Sequence, residues 1–450
     1  MTPTPLTRST AAAAAVLLLV VACAPAAAPP AATAKPAAAG ATSAPGAAPA
    51  ASEGVIRIGL LEPLTGTLAQ TGKDNQDAFN LYLEQVGNTV AGRRIEVVVA
   101  DSEGNADTAL TKAKQLVDNN NVHMLAGVQS TAECYAVAGY VKQAQVPLVV
   151  TGSCGAEDLT FNEKFASPYL VRISQVLTEI SDTLADYAYT RGSRRQTTIT
   201  SDYAGGVQTI GAFQSAFIKR GGTVIQEQYP KLGTTDFGPF LAQIDDSADG
   251  MAAFLPGADG LRFTQQYEQY TSRKLALYDF FGTITNPSFV PQLQDKVLGV
   301  ISNAVYSSAY DSPENKAFLD AWKKKYPDRL PQFDMGNGYS GAQVIEAALK
   351  KVNGKIEDKQ AFLQALYQTD LKTAKGPVKL DENHDVIQNI YVYEIMKNGS
   401  SYDQHLLQTY ENVSMTWDRT MDEVKSFPWG ETKGKLLNIN KDQLAQALKS

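Results

Sequence analysis

Cysteine and histidine are scarce, three of each in 450 residues. His123, His384 and His405 are scattered, and with Cys23, Cys134 and Cys154 they offer no zinc-ligand spacing. His123 begins a strand-like run and reads as a surface or packing residue. No Gly-x-Ser-x-Gly, His-Glu-x-x-His or Gly-Lys-Ser/Thr phosphate loop occurs, so no nucleophile, metal or nucleotide chemistry is signalled. Asp381-Glu382-Asn383-His384-Asp385 lacks the glycine and terminal glutamate of a calcium loop and reads as a β-turn. Long basic runs are missing too, and a net charge of −7 argues against nucleic-acid binding. These absences point to a protein that is not an enzyme and needs no cofactor or metal.

What is present begins at the N-terminus. Arg8 precedes an apolar run from Ala11 to Val21, too short to span a bilayer, which needs about 20 residues. A basic start, an apolar middle and a small residue before the cut make a secretory signal over 1–22. Val20-Val21-Ala22-Cys23 resembles a lipobox, with Val20 where leucine is commoner, so Cys23 is the expected lipidation site. The plainer alternative is an ordinary signal peptide with Cys23 incidental. Residues 23–53 are almost all Ala, Pro, Gly, Ser and Thr and cannot bury enough apolar surface to order themselves. At roughly 3 Å per residue such a tether reaches several tens of ångströms. Beyond it no apolar run approaches a transmembrane length.

From Gly54 apolar strands alternate with amphipathic helices. Strands are expected at 55–60, 94–99, 124–127 and 146–150, with helices at 73–86, 106–118 and 132–143 between them. The rhythm restarts with strands at 198–200, 223–225, 250–255 and 275–278. Strands separated by single helices imply right-handed crossovers and a parallel sheet, and two such series imply two doubly wound α/β lobes. Ligands of such sheets lie beyond the carboxyl ends of the strands. In the tail, 402–410 and 441–448 read as helical, with a turn at Phe427-Pro428-Trp429-Gly430.

The loops after those strands carry a pattern. Ile56 to Gly66 holds Pro-Leu-Thr-Gly, Gln70-Thr71-Gly72 follows, and Gly127-Val128-Gln129-Ser130-Thr131 opens the third helix. Thr151-Gly152-Ser153-Cys154-Gly155, Ser201-Asp202-Tyr203-Ala204-Gly205-Gly206 and Gly233-Thr234-Thr235-Asp236-Phe237 come next. In order and spacing, over 54 to about 400, the chain resembles the type I periplasmic binding proteins of the branched-chain amino acid (Leu/Ile/Val-binding) kind. The resemblance implies two parallel-sheet lobes joined by a three-strand hinge that closes like a flytrap. Crossings are expected near 170–173, 300–305 and 376–378. Lobe 1 is then 54–172 with 303–377, and lobe 2 is 173–302 with 378–450, the last including a C-terminal extension.

The resemblance further implies a monomeric, extracytoplasmic, membrane-anchored solute-binding protein of an ABC importer, with permease and ATPase as partners. A ligand sensor serving a membrane receptor is the alternative. It places the ligand near Leu64, Gln70, Thr71, Ser130, Thr131, Tyr203, Phe281 and Tyr306, and against one or more of Ser153, Cys154 and Gly155. Ser130 and Thr131 also suit a helix N-cap, and both roles are compatible. Amino-acid-binding members carry an acid where Phe281 falls here, although Asp279 lies two residues earlier. A buried ammonium without an anionic partner is costly. If Asp279 points away, an aromatic or aliphatic carboxylate, amide or urea fits better than an amino acid. Cys134 and Cys154 follow neighbouring strands, and are either a bridge between ligand loops or two free thiols.

Overall fold

The computed structural model describes residues 54–270 and 275–449. The expected signal peptide (1–22), Cys23 and the tether (23–53) lie outside the described residues. Among the described residues no helix is long and apolar enough to cross a membrane.

The first sheet contains β1 (Ile56–Glu62), β2 (Thr89–Val90), β3 (Arg93–Asp101), β4 (Met124–Gly127), β5 (Leu148–Val150) and β6 (Leu170–Arg172), ordered β2-β3-β1-β4-β5-β6. All its pairings are parallel except β2 with β3. Apolar residues fill both faces because helices cover both. Ile58, Leu60, Met124, Ala126 and Val149 face one core, and Leu61, Leu125, Leu148 and Val150 face the other.

The second sheet has a parallel part of β7 (Arg195–Thr200), β8 (Thr223–Gln228), β9 (Gly250–Phe254), β10 (Ala276–Phe280) and β11 (Ile301–Ala304), ordered β8-β7-β9-β10-β11. β12 (Asp370–Thr373), β13 (Gly376–Leu380), β14 (Val386–Asn398) and β15 (Ser401–Val413) extend it with antiparallel pairings.

The strands place the hinge. After β6 the chain passes through Ser174-Gln175-Val176 into the helix Leu177–Thr190, whose Ile180 and Leu184 belong to the main core of the second sheet, called the second core, as the Ile58 cluster is called the first. After β11 it returns, and the helix Phe333–Lys351 packs Ala342, Ile345 and Leu349 on the first core. At the third expected passage, 376–378, β12 and β13 form a hairpin that joins the second sheet through β14 and buries Val378 in the first core. Val386 still belongs to that core, whereas Ile390 and Val392 belong to the second. A fully buried ion pair, Arg172 Nε to Asp385 Oδ1 at 2.6 Å, ties the base of the first passage to that of the third. Asp385 closes the Asp381–Asp385 turn, where the His384 amide donates to the Asp381 carbonyl.

The tail corrects an expectation. Residues 402–410 are not helical but form β15, paired with β14. Their connection is a two-residue hairpin loop opening on Gly399 at φ 61°, and glycine there suits the turns that match strand twist. Beyond β15 the chain straps across the second lobe. Met415 and Val424 bury against Val176, with Phe161 and Trp429 packed beside them. Arg419 holds the buried Asp182 through two hydrogen bonds of 2.8 and 2.6 Å.

Candidate functional site

A narrow cavity opens where the strand ends of the two lobes face each other. Lobe 1 contributes Leu68, Thr71, Gln129, Ser130, Thr131, Ser153, Gly155 and Phe333, and lobe 2 contributes Tyr203, Gly205, Phe254, Pro256, Phe281 and Thr283 among others. Gln175 and Leu177 enter from the first hinge passage.

The polar wall is built on helix starts. Ser130 caps the helix Thr131–Ala144: its hydroxyl accepts from the Glu133 amide, and its own amide donates to Glu133 Oε2 at 2.8 Å. That capping box leaves Thr131 at the first helical position, beside the positive end of the helix dipole. Opposite, the helix Ala204–Lys219 begins after Tyr203 with no side-chain cap, so its first amides are open to an acceptor. The two helix starts nearly touch. A Cβ on Gly205 would stand 2.8 Å from Thr131 Oγ1, so this position requires glycine when the lobes are together.

Behind this wall lie buried acids. Asp334 accepts from the Ser153 hydroxyl, from Gln129 Nε2 at 2.6 Å and from Gln332 Nε2 at 2.9 Å. Burial pushes its pKa up to about 7, against those hydrogen bonds. Glu62 is also fully buried with neither carboxylate oxygen bonded, and burial, then Glu133 and Asp334, raise its pKa well above the carboxylate range. Neutral carboxyls are the state such surroundings favour.

The apolar wall is aromatic. The Phe281 ring centre lies 5.3 Å from that of Phe254 and 5.3 Å from that of Phe333, joining rings of both lobes. Phe281 holds φ at 62°, and Val128, beside Gln129, holds 67°. Left-handed backbone costs roughly 1–2 kcal/mol for a side-chain-bearing residue, and such positions gather at ligand sites.

Among the residues singled out from sequence, Thr71, Ser130, Thr131, Ser153, Gly155, Tyr203 and Phe281 line the cavity. Leu64, Gln70, Cys154 and Tyr306 do not, and each has a physical reason. The Leu64 amide is bound to Asp101 Oδ1 at 2.8 Å, and Leu68, one turn further, lines the cavity instead. Gln70 donates to Asp74 Oδ1 at 2.8 Å. Cys154 is consumed by a disulfide with Cys134, which links the third helix to the 153–155 loop. Tyr306 is fully buried, with its ring 5.7 Å from that of Phe318. Sequence reasoning missed Leu68, Gln129, Gln175, Phe254 and Phe333. Gln129 lies inside a quoted motif at a helix start and Gln175 two residues past the expected hinge passage, which is the signal that was available.

Asp279 settles the acid question. It is fully buried and turned away from the cavity, accepting from the Thr283 and Ile284 amides at 2.9 and 3.1 Å and from the Thr285 and Ser302 hydroxyls at 2.9 and 3.0 Å. No lining side chain carries a formal charge at neutral pH. Among the described residues no acid, histidine or cysteine group is arranged to hold a metal.

Two α/β lobes, three hinge passages and a cavity shared between helix starts define a binding protein that encloses a small molecule. The chain belongs to the periplasmic binding protein family, whose model matches residues 55–400, and the family works outside the cytoplasm. It is 33% identical over 375 residues to Leu/Ile/Val-binding protein homolog 6 of Brucella melitensis, covering 81% of this chain and 94% of that one. An ABC transporter substrate-binding protein from Sphaerobacter thermophilus shares 32% identity at a TM-score of 0.74, covering 79% and 98% of the two chains. A solute-binding protein of an ABC transporter from Rhodopseudomonas palustris BisB5, solved with 3,4-dihydroxybenzoic acid, shares 32% identity at a TM-score of 0.76, covering 81% and 99%. These neighbours are solute-binding proteins.

Proposed function

We propose that this protein is the lipid-anchored solute-binding component of an ABC importer, and that its cargo is a small aromatic carboxylate handed to the permease by the closed form. The observation that carries the cargo is the composition of the cavity. An α-ammonium entering it meets no carboxylate, because Asp279 spends its oxygens on its own loop, and a buried unpaired ammonium is strongly disfavoured. A benzoate-type acid needs donors at one end and aromatic faces at the other. The helix starts at Thr131 and Ala204 and the rings of Phe254, Phe281 and Phe333 supply both. The Rhodopseudomonas relative solved with a dihydroxybenzoic acid supports the same class.

Calorimetric titration tests the cargo. 3,4-dihydroxybenzoate or 4-hydroxybenzoate is expected to bind with Kd on the order of micromolar or tighter, and leucine on the order of 100-fold more weakly. Leucine binding more tightly than every aromatic acid would return the protein to the amino-acid group. The anchor is tested separately: Cys23→Ala in a host that processes lipoproteins is expected to move the protein from the membrane to the soluble fraction. An unchanged membrane fraction would remove Cys23 from that role.

A further inference from the structure

Gln175 sits on the first hinge passage, is 1% exposed and lines the cavity. Its side-chain carbonyl accepts from Asn337 Nδ2 at 2.9 Å. Asn337 is fully buried, does not reach the cavity, and through its own Oδ1 accepts from Lys375 Nζ at 3.0 Å. Lys375 Nζ also donates to the backbone carbonyls of Ile173 and Ser174, at 2.5 and 3.1 Å. The order of these three side chains fixes their direction. An ammonium has three N–H groups and no acceptor, and here it meets three oxygens. Asn337 must therefore turn its oxygen to Lys375 and its NH2 to Gln175. Gln175 must in turn accept with its oxygen, which leaves its NH2 for the cavity. Among the described residues no hydrogen bond from that nitrogen to a protein group is found.

We propose that Gln175 is a specificity-determining donor to the ligand's carboxylate, with its direction imposed by Lys375 through Asn337. The proposal rests on the reading of the cavity as a carboxylate site. Gln175 stands two residues before Leu177, whose side chain closes on Gly155 so tightly that a Cβ there would lie 2.3 Å away. The donor is thus delivered beside the 153–155 loop and completes the polar wall from the hinge side. Because Gln129 and the Ser153 hydroxyl already donate to Asp334, the Gln175 NH2 is a donor that remains free for an acid. Lys375 and Asn337 are positioning residues that act through Gln175.

The test uses the mature protein and two nearly isosteric probes, 3,4-dihydroxybenzoate and 3,4-dihydroxybenzamide. Gln175→Leu removes the donor and is expected to weaken the acid ~10-fold. Asn337→Asp keeps the Lys375 contact but accepts instead of donating, so Gln175 turns its carbonyl to the cavity. That variant is expected to lower the acid-to-amide affinity ratio ~10-fold or more while circular dichroism and melting stay native-like, a change that a merely structural role for Asn337 would not produce. An unchanged ratio in Asn337→Asp, or acid binding by Gln175→Leu within about threefold of the wild type, would overturn the proposal. If the wild type ignores the acid but binds leucine, the aromatic reading fails alone, and the same variants titrated with leucine, whose carboxylate is also an acceptor, decide the Gln175 role. Wild type that binds neither ends both.

Discussion

Protonation of one side chain controls what the cavity offers its ligand. Lys375 is fully buried; desolvation lowers its pKa to about 7, and the Glu179 carboxylate opposes the shift. Glu157 and Arg172 in turn act on Glu179, and Asp385 pairs with Arg172. Below pH 7 three N–H groups serve Ile173, Ser174 and Asn337. Above it two remain for the fixed backbone carbonyls, and the lone pair turns to Asn337, which then presents its NH2. Asn337 and Gln175 reverse, and a carbonyl faces the ligand. Benzoate, whose own charge is constant across this range, is therefore expected to lose ~10-fold in affinity between pH 6 and pH 8. Asp334, with a pKa of about 7, ionises in the same window and also disfavours an anion. Calorimetry on Asn337→Leu separates them: that variant should keep only the shallower Asp334 slope, and parallel profiles for the two proteins would refute the Lys375 part. None of this chain was legible in the sequence, because Gln175, Asn337 and Lys375 are far apart along it and none belongs to a motif. Thr131 and Tyr203 were legible through the family resemblance, which places them in loops after parallel strands, and they line the cavity. The orientation of Asp279 was posed as a question from sequence, and only the hydrogen bonds of Thr283, Thr285 and Ser302 could answer it.

At the scale of elements, periodicity located the buried strands well where both faces are covered. Met124–Gly127 was read with its observed bounds, and Ala276–Phe280 within two residues of its observed end. It failed where exposure alternates. Residues 402–410 mix Tyr402, Leu406 and Leu407 with polar neighbours in a way that also fits a helix, but as β15 they lie on β14 with a mostly exposed outer surface. The stronger local signal was Gly399-Ser400, a glycine-led pair that marks a two-residue hairpin loop. At the expected third passage, Gly376 with φ 100° opens β13 opposite Thr373, the last residue of β12, so a hairpin stands there. The C-terminal strap had no counterpart in the family pattern, so its packing over Val176 and Asp182 followed from neither periodicity nor resemblance.

At the scale of the whole molecule, the proposed function has the two lobes close and reopen, and polar contacts between them accompany the ring contact of Phe281 with Phe333. Gln208 Nε2 of the second lobe donates to the Tyr135 hydroxyl of the first at 3.0 Å, and the Ser288 hydroxyl donates to Asp74 Oδ2 at 3.2 Å. Away from these, the Ala258 amide approaches the Thr67 carbonyl at 3.4 Å. Polar contacts at the rim suit an interface that parts on each cycle. Gly257 lies beside the last of them. It holds φ at 60°, and a Cβ there would stand 2.3 Å from the Thr67 carbonyl oxygen, a backbone atom that cannot step aside. Gly257→Ala therefore penalises the closed form more than the open one, at a further cost of roughly 1–2 kcal/mol of local backbone strain. Because Gly257 does not line the cavity, the loss appears as a closure penalty, reducing apparent affinity by the fraction of closable molecules. Calorimetry is expected to show ligand binding at least ~10-fold weaker than wild type. Small-angle scattering is expected to show a bound variant that stays expanded under ligand concentrations that compact the wild type. A variant that compacts as fully as the wild type would mean that the loop at Gly257 moves out of the way, and that the lobes meet with more tolerance than the Thr67 contact implies.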